Sequence, residues 1–160
     1  MTDTTTDHPY GDAPWNTVKE GLAQTLGIDF IEQTPDRIVA TMPVTPRHHQ
    51  PYGYLHGGAS LVLAESVVAV GAYINCAAGM TAFGLEINAN HLRAVKSGVL
   101  TAIGTPLHRG RTTQVWEVRI QDASQRLVCV SRCTVAVVPL DRTTGEHGPS
   151  LKKFREIRYS

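Results

Sequence analysis

Cysteine is scarce in this chain, with three among 160 residues and none in a CxxC pair. An odd count without pair spacing gives no disulfide framework and fits reduced thiols in a cytoplasmic protein. Charge of one sign is also missing. Lys and Arg number 15 against 14 Asp and Glu, for a net charge of +1. No broad basic field exists to attract nucleic acid, so a nucleic-acid partner is not expected. The longest mostly apolar stretch, Ala59 to Ala78, is interrupted by Ser60, Glu65, Ser66 and Asn75. That composition predicts a buried helix rather than a membrane span. The first twelve residues are polar and acidic, the opposite of a secretory signal. Internal repeats and low-complexity tracts are absent. So are a G-x-G-x-x-G loop, a P-loop and a G-x-S-x-G elbow around Ser60. His48 and His49 match no metal spacing, so neither metal nor cofactor is expected.

What remains is enough for one packed domain: 42% hydrophobic and 18% charged residues. Residues 1–13 read as a flexible tail, 14–139 as the domain and 140–160 as a second tail. Trp15, Val18, Leu22 and Leu26 recur every three to four residues, which predicts an amphipathic helix ending near Gly27. Two β-like runs follow, Ile28–Gln33 and Arg37–Val44, joined by a Thr34-Pro35-Asp36 turn. Residues 46–58 (PRHHQPYGYLHGG) form an irregular loop. A helix from His56 or Gly57 to about Ala78, apolar nearly all round, should be wrapped by other elements. Four strands complete the domain: Ala82–Ala94, Gly98–Leu107, Thr112–Gln121 and Leu127–Pro139. The short turns between them suggest an antiparallel meander. A twisted sheet must cover its apolar face, and only the long helix is apolar enough to do so. The expected fold is therefore α+β, an antiparallel sheet rolled around a central helix. Cys129 and Cys133 share one face of the last strand and read as core.

Two features depart from a plain core. Glu65 is the only charge between Gly57 and Ala78, and a buried carboxylate is unfavourable unless it is paired or used. A structural ion pair is the plainer reading and a catalytic carboxylate the sharper one. At His56-Gly57-Gly58 the helix begins, with free amides and the positive end of its dipole. Glycine there lets a ligand approach the backbone, and such an amide can polarise a carbonyl. A simple turn into the helix would need the same glycines. Nine residues separate His56 from Glu65, about 2.5 turns and roughly 13 Å of rise. The two lie on opposite faces, so they can cooperate at one carbon only if two chains supply them across a two-fold axis.

The runs Gln50-Pro51-Tyr52-Gly53-Tyr54-Leu55-His56-Gly57-Gly58-Ala59-Ser60, Leu63-Ala64-Glu65-Ser66 and Gly84-Leu85-Glu86-Ile87-Asn88-Ala89-Asn90-His91 resemble the hotdog-fold acyl-CoA thioesterases. Within these the chain is similar to the branch acting on aromatic acyl-CoA esters. That branch includes the 1,4-dihydroxy-2-naphthoyl-CoA thioesterases of menaquinone synthesis, their enterobactin-pathway proofreading relatives and the thioesterases of phenylacetic-acid degradation. The resemblance spans about Trp15 to Val138. It implies hydrolysis of an acyl-CoA to the free acid and CoA, in a homodimer that assembles into a homotetramer. By position, Glu65 becomes the catalytic carboxylate, acting either as nucleophile or as general base. The Gly57 amide would bind the thioester oxygen, and His56 and Gln50 would orient the ester. Ser66 would lie beside the nucleophile. Ala69 stands where family members often carry Ser or Thr, which implies a more apolar acyl pocket. His91, Arg93 and the turn His108-Arg109-Gly110-Arg111 would contact the CoA nucleotide, since arginine pairs well with phosphate. Solvated turn arginines are the plainer reading of the same residues.

Two other functions fit parts of this pattern. A hotdog hydratase or dehydratase would use acid–base groups near a helix start but release no free thiol. A non-catalytic acyl-CoA-binding protein would bind without turnover, and it has no need of Glu65.

Overall fold

In the computed structural model, residues 21–139 are described; Trp15, Val18, both expected tails and residues 14–20 lie outside them. The elements are α1 (Leu22–Thr25), β1 (Asp29–Gln33), β2 (Ile38–Val44), α2 (Gly57–Ile74), β3 (Met80–His91), β4 (Gly98–Arg109), β5 (Thr113–Gln121) and β6 (Leu127–Pro139). Every strand pairing is antiparallel, in one six-stranded sheet. The α+β roll read from the sequence is the observed fold, with α2 lying in the concavity of the sheet.

Period-2 alternation puts one face of each strand against α2. Ile38, Ala40, Met42 and Val44 of β2 meet Leu100 and Ala102 of β4, then Trp116, Val118 and Ile120 of β5, all buried with Leu63, Ala64, Val67 and Val68 of the helix. Cys129 and Cys133 of β6 belong to this core, as expected. A buried polar link ties the far end of α2 to the sheet. Gln114 Nε2 donates to the Ala72 carbonyl (3.2 Å), and its Oε1 accepts from Trp116 Nε1 (3.0 Å). Both partners of each bond are therefore satisfied inside the core.

Four expectations are corrected. The strands do not form a simple meander. Their order is β1-β2-β4-β5-β6-β3, so β3 pairs with β6 and lies at the sheet edge. The Leu92–Ser97 connection carries the chain across, with the Leu92 and Arg93 amides held by the Val128 carbonyl. Helix α2 stops at Ile74 rather than Ala78, because Asn75 caps it: the Asn75 side chain donates to the Gly71 carbonyl (2.8 Å) and the Pro35 carbonyl (2.9 Å). Strand β4 runs through His108 and Arg109, so these are strand residues, and the turn is Gly110 to Thr112. Leu22, expected on a buried face, is exposed, and only Ala23 and Leu26 of that segment pack against the core.

The fourth-strand extension is accompanied by a bulge at Leu107; similar bulges occur at Ile31 in β1 and Leu85 in β3. Each bulged residue is an exposed large hydrophobic. The extra residue is left without a partner across the ladder.

Candidate active site

The loop entering α2 is built by its histidines. His48 is buried: Thr45 N–H donates to its Nδ1 (3.2 Å), leaving Nε2 to donate to the Leu26 carbonyl (2.9 Å). His49 Nε2 lies 2.8 Å from the Lys96 carbonyl. His56 is the N-cap, and its Nδ1 accepts from Gly58 N–H (2.8 Å). An accepting Nδ1 places the proton of the neutral ring on Nε2, on the outward side. Gly53, at φ +79, allows the tight return that brings Gln50 N–H to the Tyr54 carbonyl (2.8 Å).

These bonds account for the first-turn amides one by one. Gly58 N–H is held by the His56 ring, and Ala59 N–H by the His56 carbonyl (3.0 Å). Gly57 N–H has no acceptor among the described residues. A free amide at the positive end of an 18-residue helix is suited to an oxygen that gains negative charge. The His91 ring lies over Gly57, so close that a Cβ there would be 2.8 Å from Nε2. Gly57, His91, Gln50 and Arg93 all line one cleft of about 450 Å³, with Tyr54, Leu55, Ser60 and Val95. Arg93 is exposed at this cleft and has no ion-pair partner among the described residues.

Glu65 lies elsewhere. Its position corrects the expectation of a buried Glu65, because within one chain Glu65 is exposed. The sheet covers the face carrying Leu63, Ala64, Val67 and Val68, whereas Glu65 and Ala69, one turn apart, point away from it; Ser66 is half-buried beside them. The carboxylate rests on the backbone of β3: a Cβ on Gly84 would be 2.7 Å from Glu65 Oε1. No cation pairs with Glu65 among the described residues. Its charge is felt below. The Cys133 thiol is pushed up to about 12 by burial and by the Glu65 and Glu86 carboxylates. Burial alone pushes Cys76 up to about 11 and raises Cys129.

The chain thus holds two groups of candidate residues at different heights of α2. One has the amide, Gln50 and His91. The other has the carboxylate, set against Gly84. The β4–β5 end joins neither within one chain. Arg109 pairs with Asp36, the His108 ring packs against Gly110, and Arg111 is exposed. Ladder register puts Arg109 level with Gln114, Val135 and Gly84, on the same row as the carboxylate and away from the cleft. Sequence reading gave no role to Gly84 or Ser60. A glycine inside a strand pattern was the available signal for the first, and a serine three residues after Gly57 for the second.

Comparison with known proteins gives a consistent result. Residues 52–129 match the model of the Thioesterase superfamily. The chain is 46% identical over 117 residues to the 1,4-dihydroxy-2-naphthoyl-CoA hydrolase of Listeria monocytogenes, covering 73% of this chain and 95% of that one. It is 44% identical over 124 residues to the Escherichia coli protein of the same name, covering 77% and 91%. The crystal structure of thioesterase HI1161 from Haemophilus influenzae superposes with a TM-score of 0.72 at 44% identity, covering 76% of this chain and 86% of that chain.

Proposed function

The chain belongs to the thioesterase superfamily, and from that premise we propose that it hydrolyses an aromatic acyl-CoA, foremost 1,4-dihydroxy-2-naphthoyl-CoA, to the free acid and CoA. The names of the two hydrolases at 44–46% identity support that acyl group. The observation that carries the mechanism is the pairing of a free amide at Gly57 with a free carboxylate at Glu65, too far apart to act within one chain.

Two copies joined along the open edge of β3 bring them together. A two-fold axis at Asn88, with the bulged Leu85 taking no rung, would set Gly84 of each copy opposite His91 of the other. Glu65 rests on Gly84 and Gly57 lies under His91, so each carboxylate arrives at the other copy's cleft. Edge strands this long are commonly covered, and β3 has twelve residues with one side unpaired among the described residues. Such dimers pair in turn into tetramers.

In the shared site the Gly57 amide donates to the thioester oxygen and draws charge from the carbonyl carbon. Glu65 attacks that carbon, expelling the CoA thiolate and leaving an anhydride that water opens, or it takes a proton from water as the water attacks. Either route breaks the C–S bond, forms a C–O bond and protonates the departing sulfur. Gln50 and His56 orient the ester, Ser66 and Ala69 border the acyl group, and Arg93 and His91 meet the CoA. His108, Gly110 and Arg111 extend the nucleotide contact from the row of the carboxylate, with Arg109 reaching it by exchanging Asp36 for a phosphate.

Mixing two defective variants tests this. Glu65→Gln and Gln50→Ala homodimers should each lose turnover, measured as free thiol released from the acyl-CoA. After dissociation and reassociation, half the dimers are mixed and each has one intact site of two, so activity should return to about a quarter of the parental value. Failure to recover would sink the shared site, and parental turnover by Glu65→Gln alone would sink the carboxylate's role.

A further inference from the structure

Ser60 follows Gly57 by three residues, so the two share a face of α2, about 4.5 Å apart along its axis. Both line the cleft, whose walls here are the apolar side chains of Leu55, Leu92, Val95 and Val128. Ser60 is 1% exposed, and its Oγ has no hydrogen-bond partner among the described residues. A helical serine usually satisfies its hydroxyl on the carbonyl one turn back. Here that carbonyl belongs to His56, and the Ser60 hydroxyl makes no bond to it. A buried hydroxyl without a partner is unfavourable, and native proteins keep few of them. One held at the floor of a ligand-sized cleft has a ligand atom as its natural partner.

We propose that Ser60 Oγ is a specificity-determining anchor for a hydroxyl or oxo group on the acyl chain, on the carbon two beyond the thioester carbon. The inference rests on the thioesterase reading, because the Gly57 amide fixes the carbonyl oxygen from which the distance is counted. One helical turn further along the same face, the acyl group presents the ortho position of an aromatic ring or the third carbon of a chain. A serine hydroxyl both donates and accepts, so it matches a phenol, an alcohol or a ketone there. An acyl group with only hydrogen at that position leaves the hydroxyl bare in an apolar wall, which is the arrangement that discriminates best between otherwise similar substrates. Ser60 neither attacks nor transfers a proton in the reaction; it selects.

The test compares kcat/KM for 2-hydroxybenzoyl-CoA and benzoyl-CoA in the parent and in Ser60→Ala, a change that favours the helix. The parent should prefer the hydroxylated ester by about 10-fold or more. Ser60→Ala should abolish that preference by slowing the hydroxylated ester alone, with benzoyl-CoA unchanged. Calorimetric binding of 2-hydroxybenzoate against benzoate should show the same loss without depending on turnover. Equal slowing of both esters, or a parent with no preference, would overturn the assignment. A matched pair of 3-hydroxyacyl-CoA and plain acyl-CoA separates this inference from the aromatic reading. If only straight chains are hydrolysed, the aromatic reading fails, while a preference for the 3-hydroxy ester that vanishes in Ser60→Ala still upholds the anchor. Hydrolysis of no ester by the parent overturns both.

Discussion

Replacing Gly84 by alanine separates the position of the carboxylate from the stability of the fold. Gly84 is a strand residue without the left-handed backbone that would demand glycine. Its reason lies in the neighbour: an added Cβ would be 2.7 Å from Glu65 Oε1, where ordinary contact begins at 3.4 Å. The carboxylate must therefore retreat by about 0.7 Å, and being the far end of a flexible exposed side chain, it can do so. Misplacement of a reacting group by 1 Å can lower turnover by about 100-fold. A shift of this size should reduce kcat by about 10- to 100-fold, equivalent to about 1.4–2.7 kcal/mol in the barrier. Stability should move the other way. Alanine restricts the unfolded chain more than glycine, a gain of about 0.4–1 kcal/mol where the native backbone suits it. The assay pairs thiol release from a saturating acyl-CoA with thermal melting of the same samples. Parental kcat in Gly84→Ala would refute the placement of Glu65 in the reaction. Loss of activity in proportion to a lowered Tm would show instead that Gly84 serves the fold.

Two further outcomes follow from the core. Gly71→Ala would put a methyl 2.5 Å from the Trp116 ring, which is fully buried and held through Nε1 by Gln114; overpacking of about 1–3 kcal/mol should exceed the helix-propensity gain of about 1 kcal/mol, and a Tm at or above the parental value would contradict this. Cys133 is pushed up to about 12 by burial and by the carboxylates of Glu65 and Glu86. A thiol whose folded value is raised stabilises the protein fully below its ordinary value of 9.0 and loses that contribution as pH rises towards 12. In Glu65→Gln one of the opposing charges is gone, so ultraviolet absorbance should detect the Cys133 thiolate at lower pH than in the parent. An unchanged titration would place Glu65 too far away to act on it.

Periodicity made most of this fold legible. The β1–β2 hairpin, the start of α2 at Gly57 and the limits of β6 follow from alternation, turn residues and the His56-Gly57-Gly58 punctuation, all local signals. Strand order is not local. Nothing in the spacing of β3 and β4 says that they part, because β3 pairs with β6, a strand far along the chain. The end of α2 escaped for a similar reason: Asn75 caps it partly through the Pro35 carbonyl, a partner 40 residues away. The site was legible by residue type and hidden in arrangement. Glu65 stands out because a lone charge in an apolar helix is conspicuous, yet apolar composition alone does not imply full burial. Half of α2 is buried, and the outward half, with Glu65 and Ala69, is apolar enough to need a cover that the described residues do not supply.

That need for a cover and the chemistry point to the same surface. Among the described residues, an 18-residue helix with one face open, a twelve-residue strand with one edge open, and three exposed hydrophobics at bulges are each unfavourable in water. The open helix face and the open strand edge meet at Gly84, where the only charge of α2 rests. Covering them with a second copy along β3 would bury the apolar part of that face and dehydrate Glu65 at once. A carboxylate moved out of water beside a polarised carbonyl becomes a better base and nucleophile than it is in solvent. Assembly would therefore do more than bring two groups within reach: the same burial that holds the copies together would raise the reactivity of the acid. Catalysis and dimerisation should then share their dependence on protein concentration, with activity per chain falling on dilution at the point where the dimer separates.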